Sequence, residues 1–344
     1  MTWIPLLLAD PSPSLRYLVL RDLLHKNEND SELLELKELQ KKDPLITNLV
    51  KLQATDGAWE KGDFVGGAHS TKPYATAQAL TRLGYLGFTS EYSPVRKGID
   101  YLLSIQNADG SWSLPKNREK QLLEGGYEKM TLQTAIPLRA LAMCGYIQDS
   151  VVEKAYEWIL EQQMDDGAWP TGYLKGNFGY VAGYRKIAHS RWGCRSNSTG
   201  ALTCLALHPK YKNSASVKKS LDLLLGRDTQ EQFTFGFEVA RTIGVEQATG
   251  FITYYARFDP SLMLDISRRI GANTNDSRVN DLVDFVKENQ GTYGLWEYTA
   301  KPHASRWITF DILRSLSEID KEINWFSLEP KTPFQAYPKA KQRH

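Results

Sequence analysis

Two short stretches hold the residue types best suited to chemistry. His189-Ser-Arg191-Trp192 and His303-Ala-Ser-Arg306-Trp307 are near copies of each other. His69 falls at a similar place before another apolar stretch, and Arg185, Lys186 and Arg195 lie near the first copy. Arginine can hold a phosphate or diphosphate through two parallel hydrogen bonds. His69, His189, Arg191, Arg195, His303 and Arg306 therefore read as an anion- or diphosphate-binding set. Three histidines can also close a zinc site, but these come from separate parts of the chain and no ligand spacing supports it. The plainer alternative is local: capping bonds and cation–π contacts with the adjacent Trp. These residues call for no cofactor, and zinc is the one metal they would suit.

The elements that must position them follow from a repeated phrase, Gln-x-x-Asp-Gly-x-Trp. It runs from Gln53 to Trp59, from Gln106 to Trp112 and from Gln163 to Trp169, with a weaker copy from Gln290 to Trp296. The intervals are about 53, 57 and 127 residues, so a missing copy is expected near Asp228, before Phe233, Phe235 and Phe237. The Asp-Gly pair reads as a helix stop, because Gly accepts positive φ cheaply and Asp bonds nearby backbone N–H groups. The repeated Asp residues are thus turn-makers rather than catalytic acids, and each Trp buries a large flat surface.

An amphipathic stretch precedes each copy, as in Val95 to Leu103 and Val151 to Ile159, with apolar residues at helical spacing. A stretch rich in Ala and apolar nearly all round follows each copy, which reads as a buried helix. Inner helices are expected near 74–85, 131–144, 196–207, 249–257 and 307–318. Residues 1–44 read as N-terminal capping helices, 45–325 as the repeat domain, and 326–344 as a loosely ordered basic tail. The Gly- and aromatic-rich segment 172–184 is a lid candidate.

The phrase at this period resembles the repeat of the terpenoid cyclases and protein prenyltransferase β subunits, over roughly residues 45–320. The resemblance implies an all-α fold: an α/α toroid, a barrel of helical hairpins with about five to six repeats. Its inner helices run parallel around a central apolar cavity. In the prenyltransferases the diphosphate and the zinc lie near the N-terminal ends of those helices. The chain departs from both mechanisms. It has no Asp-x-Asp-Asp acid, Cys194 lacks the Asp of the zinc pair, and Thr309 stands about where a zinc His is needed. Asp311 and Glu128 are then the carboxyls nearest the inner helices. A carboxyl raised in pKa by an apolar cavity can protonate an alkene, with Trp192, Trp307 and Phe310 stabilising a carbocation through their π faces. The plainer reading of Asp311 is a buried, hydrogen-bonded side chain.

Composition excludes little. A net charge of +2 implies no attraction to nucleic acid. Ile4 to Leu8 is too short to span a membrane and lacks a basic leader, so no signal peptide is expected. Cys144, Cys194 and Cys204 form no CxxC, which suits a reducing cytoplasm. Three readings of function remain: an enzyme acting on an isoprenoid, a non-catalytic isoprenoid or lipid carrier, and a carbohydrate-active enzyme with paired carboxylates. The expected partner is a hydrophobic small molecule. Peripheral membrane contact and oligomeric state are left open.

Overall fold

A computed structural model describes residues 2–60, 71–113, 130–174, 176–179, 181, 186–225, 235–246, 259–320 and 326–327. In chain order its helices are α1 (Ile4–Leu8), α2 (Pro13–Leu18), α3 (Ser31–Gln40), α4 (Pro44–Lys51), α5 (Lys72–Tyr85), α6 (Ser93–Ser104) and α7 (Thr131–Met143). There follow α8 (Ser150–Glu161), α9 (Arg195–Leu205), α10 (Ala215–Leu225), α11 (Phe237–Thr242), α12 (Pro260–Ile270), α13 (Ser277–Glu288) and α14 (Ser305–Ile319). A π-helical turn, Val19–Leu23, extends α2. The strands among the described residues are two-residue pairs: Thr2–Trp3 with Phe326–Ser327, and Tyr173–Leu174 with Asn177–Phe178. The fold is an all-α toroid.

The helices divide by burial. On α6 the buried residues are Val95, Gly98, Ile99 and Leu102, one face at helical spacing. On α13 they are Val279, Leu282, Val283 and Val286. Two outer helices, α8 and α13, begin where acidic caps satisfy free backbone donors: Asp149 accepts from the Val151 N–H and Asp276 from the Arg278 N–H. On α9, by contrast, every residue from Arg195 to Leu205 is buried.

The inner helices α5, α7, α9, α12 and α14 run parallel. The Leu132 N–H at the start of α7 donates to Asn197 Oδ1 at the start of α9, at 2.8 Å. Near their ends, α5 and α7 approach so closely that a Cβ on Gly84 would lie 2.5 Å from the Met143 carbonyl carbon. Each outer helix packs on the inner helix before it, α6 on α5, α8 on α7, α10 on α9 and α13 on α12. The extended α2 packs against α3 and α14 and takes part in the same ring.

The Trp turns join one unit to the next. The indole Nε1–H of Trp59, Trp112, Trp169 and Trp296 donates to the carbonyls of Leu49, Leu102, Ile159 and Val286, at 2.7 to 2.9 Å. Each ring is thereby tied to the outer helix behind it. Their backbone N–H groups donate forward, to the hydroxyls of Thr76, Thr134, Ser198 and Thr309 on the inner helix ahead. Gln53, Gln106 and Gln163 bond the carbonyls of Pro94, Val151 and Ser216 at the start of the next outer helix. Gly110 sits at φ +88°, and a Cβ there would come within 2.6 Å of the Lys154 backbone, so glycine is required twice over.

The fourth unit departs from the expected pattern. The inner helix expected at 249–257 and the turn expected near Asp228 lie outside the described residues. The inner position between α10 and α13 is held by α12, which starts with Asp259 capping the Ser261 N–H and Pro260 in the first turn. No described helix is long and apolar enough to cross a membrane.

Trp169 is fully buried, so Trp169→Ala should cost roughly 3–5 kcal/mol by chemical denaturation. Tyr293 takes the place of the phrase's Asp in the fourth copy and is exposed. Tyr293→Ala should stay within about 0.5 kcal/mol of the parent. Equal losses for the two variants would contradict the interlock.

Candidate functional site

Short α11 does not lie on the wall of the ring. It packs on both α5 and α14, and Glu238 reaches Arg139 on α7 at 2.6 Å. It therefore sits inside the ring as a plug. Gly236, at φ +73°, lies against Ile308 of α14 so closely that a Cβ would collide with it. At its other end the Arg82 Nε–H donates to the Thr242 carbonyl at 2.8 Å. Burial pushes the Arg82 guanidinium down to about 10. Asp259, just before α12, accepts from the Gly236 and Glu238 N–H groups at 3.0 and 2.9 Å and from the Ser261 hydroxyl at 2.5 Å.

Beside the plug is a cavity of about 30 Å³. Its walls are Tyr85 on α5, Arg139 and Met143 on α7, and Thr203 on α9. Asp265 and Arg269 on α12, Asp311 and Arg314 on α14, and Glu238 on α11 complete it. Most of the wall comes from the C-terminal halves of the inner helices, so the cavity lies toward the end of the ring where their carbonyls point.

Its charges are ordered by burial and pairing. Burial alone would push the Asp265 carboxyl up, but the guanidiniums of Arg269, Arg268 and Arg314 outweigh it and hold the group well below the usual carboxylate range. Arg269 Nε and Arg268 Nη2 engage its two oxygens at 2.7 and 2.8 Å. Asp311 goes the other way. Burial pushes it up, Arg314 opposes, the charge of Asp265 adds to the push, and the net direction is upward. Arg314 bonds Asp311 directly and stands 3.5 Å from Asp22 and 4.0 Å from Asp265. It also lies over the rings of Phe310 and Tyr85, at 5.1 and 5.7 Å. Trp307 is buried, 6.4 Å from Tyr85 between ring centroids. Asp311, Trp307 and Phe310 are thus brought together on one inner helix. Asp311 is at mid-helix rather than near the N-terminal end.

The His and Arg copies are not part of this cavity. His189 and His303 are exposed before α9 and α14, at the opposite end of the ring. Arg191 lies over Trp192 at 5.0 Å, and Trp192 meets Phe178 at 6.3 Å. Arg306 pairs with Asp10 at 3.3 Å. Arg195 is buried at the start of α9, with Nη2 3.5 Å from the Lys186 carbonyl. His69 and Glu128 lie outside the described residues. Among the described residues no cluster of His, Cys, Asp and Glu is placed to hold a metal. A larger hollow, about 340 Å³, opens beside Trp112 and Trp158, but its acid, Asp109, is bonded to Ser111 within the turn.

Sequence reasoning passed over Asp22, Arg139, Glu238, Asp265, Arg268, Arg269 and Arg314. The available signal was an Asp with Arg three and four residues later inside a helix, as at Asp265, which ordinarily marks a solvated face.

Residues 31–184 match the model of the squalene-hopene cyclase C-terminal domain. The chain is related to the terpenoid cyclases. It is 28% identical to a squalene–hopene cyclase of Zymomonas mobilis over 43% of this chain and 21% of that protein. It is 31% identical to the lanosterol synthase ERG7 of Saccharomyces cerevisiae over 39% of this chain and 18% of that protein. The alignment thus spans about a fifth of these curated relatives. Among solved structures, the type II terpene cyclase MstE from Scytonema aligns at 13% identity over 79% of this chain and 95% of that one, with a TM-score of 0.35. That superposition is too loose to carry residue equivalences.

The seat of the plug should respond to pH. Burial pushes the Asp259 carboxyl from 3.8 up to about 6, against the hydrogen bonds from Glu238, Ser261 and Gly236. A carboxyl with a raised folded pKa binds its proton more tightly when folded. Its contribution therefore favours the folded state at low pH and is lost as pH rises through about 6. The difference is about 2 kcal/mol between pH 4 and pH 7. Unfolding free energy measured across that range should fall with rising pH, and Asp259→Asn should flatten the slope. Parallel curves for the two proteins would contradict this.

Proposed function

We propose that this chain acts on an isoprenoid by acid-initiated, cyclase-type chemistry, with Asp311 as the proton donor. The observation that carries the reading is Asp311 itself: a buried carboxyl on an inner helix, raised in pKa and flanked by Phe310, with Trp307 one turn away. A carboxyl whose pKa is raised by burial is a better general acid near neutral pH than an exposed one, and aromatic faces stabilise the cation that forms. The relationship to squalene–hopene cyclases and lanosterol synthases supports the substrate class. The cavity of about 30 Å³ is too small for an isoprenoid chain, so the chain must take the axial space that α11 now fills. Peripheral membrane contact would deliver such a substrate. A reducing cytoplasm suits three cysteines that are all buried and free.

The carrier reading is favoured by one feature. Arg314 bonds Asp311 directly, and a guanidinium so placed favours the ionised carboxylate, which has no proton to give to an alkene. Paired-carboxylate sugar hydrolysis fits worse, because Arg268 and Arg269 already occupy both oxygens of Asp265.

The test is a panel of prenyl diphosphates, isoprenoid alcohols and squalene-like hydrocarbons, scored for binding and for turnover. Asp311→Asn should retain binding and lose at least about 100-fold in turnover, with its melting temperature recorded because Arg314 loses a partner. Binding without turnover in the parent protein would establish the carrier instead. No interaction with any member would end both readings.

A further inference from the structure

Of the groups around Asp311, Arg314 favours its ionisation most, because it bonds the carboxyl directly. That guanidinium is divided among three acids. Its Nη2 serves Asp311 and stands 4.0 Å from Asp265, while its Nη1 reaches Asp22 at 3.5 Å. Asp22 comes from the turn Val19–Leu23, where the Leu24 N–H donates five residues back to the Val19 carbonyl at 3.1 Å. Such π turns are rare and frequent at functional sites, and this one packs against α14, the helix of Asp311 and Arg314. Burial would push the Asp22 carboxyl up, but Arg21 and Arg314 outweigh it and hold the group below its ordinary range, so it stays ionised. Arg21 Nε and Nη2 engage its two oxygens at 2.5 and 2.9 Å.

The other charges around Asp311 are matched among themselves. On α12, Arg268 and Arg269 engage Asp265, and Arg268 also meets Glu318 at 2.7 Å. Across the cavity Arg139 pairs with Glu238. Burial pushes the Tyr85 phenol of α5 well up, so it adds no charge. Asp265 has two arginines of its own and is the farther from Arg314. Asp22 is thus the acid that competes with Asp311 for that guanidinium. None of Asp22, Asp311 and Arg314 lies on α11, so the competition does not depend on where the plug sits.

We infer that Asp22 is a positioning residue for the acid at Asp311: by holding Arg314 Nη1 and setting a second negative charge beside it, Asp22 keeps the guanidinium from stripping Asp311 of its proton. This rests on the reading of Asp311 as proton donor and supplies the offset to Arg314 that such a donor needs. Asp22 itself touches no reacting atom; it acts through Arg314.

The experiment follows the Asp311 carboxyl carbon by NMR through pH in the parent protein, Asp22→Asn, Asp22→Glu and Arg21→Gln, and records turnover of the isoprenoid panel against pH. Asp22→Asn should lower the Asp311 midpoint by about one pH unit. The fall of turnover with rising pH should move down by the same amount, with the low-pH plateau kept. Asp22→Glu should restore the parent midpoint. Arg21→Gln breaks the same ion pair but removes a cation, so it should move the midpoint up. Structural damage from losing the Arg21–Asp22 pair is common to both variants and gives no opposite signs. If Asp22→Asn fails to fold, the sign in Arg21→Gln decides alone. An unmoved midpoint in either variant, or the same direction in both, would overturn the inference whatever the turnover. Opposite shifts in a protein that turns over no member of the panel would uphold the hold of Asp22 on Asp311 and remove the catalytic reading of Asp311.

Discussion

The ring is held by a buried indole that serves two helices at once. Each Trp of the repeated phrase donates its Nε1–H backward to the outer helix that precedes it. Its backbone N–H donates forward to a hydroxyl on the inner helix that follows. The Gln at the start of the phrase reaches one unit further, to the next outer helix. Three successive helices are therefore fixed by one turn, and the geometry repeats because the bonding does. With outer and inner helices alternating in direction, all inner helices must run the same way.

That parallelism has an electrostatic consequence. The carbonyl ends of the inner helices gather at one end of the ring, and their partial negative charges favour cations in the last turns. Arg82 in α5 and Arg268 and Arg269 in α12 stand in such turns. Guanidiniums drawn together in a dry interior need acids to balance them, and Asp22, Asp265, Asp311 and Glu238 supply these. Asp265 takes the share of three arginines, which leaves Asp311 as the acid that holds its proton more tightly. The polar cavity thus follows from the topology that the Trp turns impose.

Much of the architecture was legible in the sequence for the same reason. Asp56, Asp109 and Asp166 accept the backbone N–H two residues on, as turn-makers do. The inner helices at α5, α7, α9 and α14 fall close to the apolar stretches that marked them. Asp311, Phe310 and Trp307 could be placed because they share one inner helix. The rest of the cluster could not. Arg139 and Glu238 are 99 residues apart, and Arg82 and Thr242 are 160 apart. Neither pair carries a local pattern. The His and Arg copies lie at the other end of the ring, where Arg191 stacks on the neighbouring Trp192 and Arg306 pairs with Asp10.

The central claim is that convergent helix ends split the acids of one cavity into a low and a high titrator. Carboxyl-carbon NMR of the protein labelled at aspartate, followed through acid pH and assigned with Asp265→Asn and Asp311→Asn, measures this directly. Asp265 should remain ionised well below the usual carboxylate range, and Asp311 should titrate above its ordinary value of 3.8. Both groups titrating near that value, or Asp311 falling below Asp265, would contradict the account.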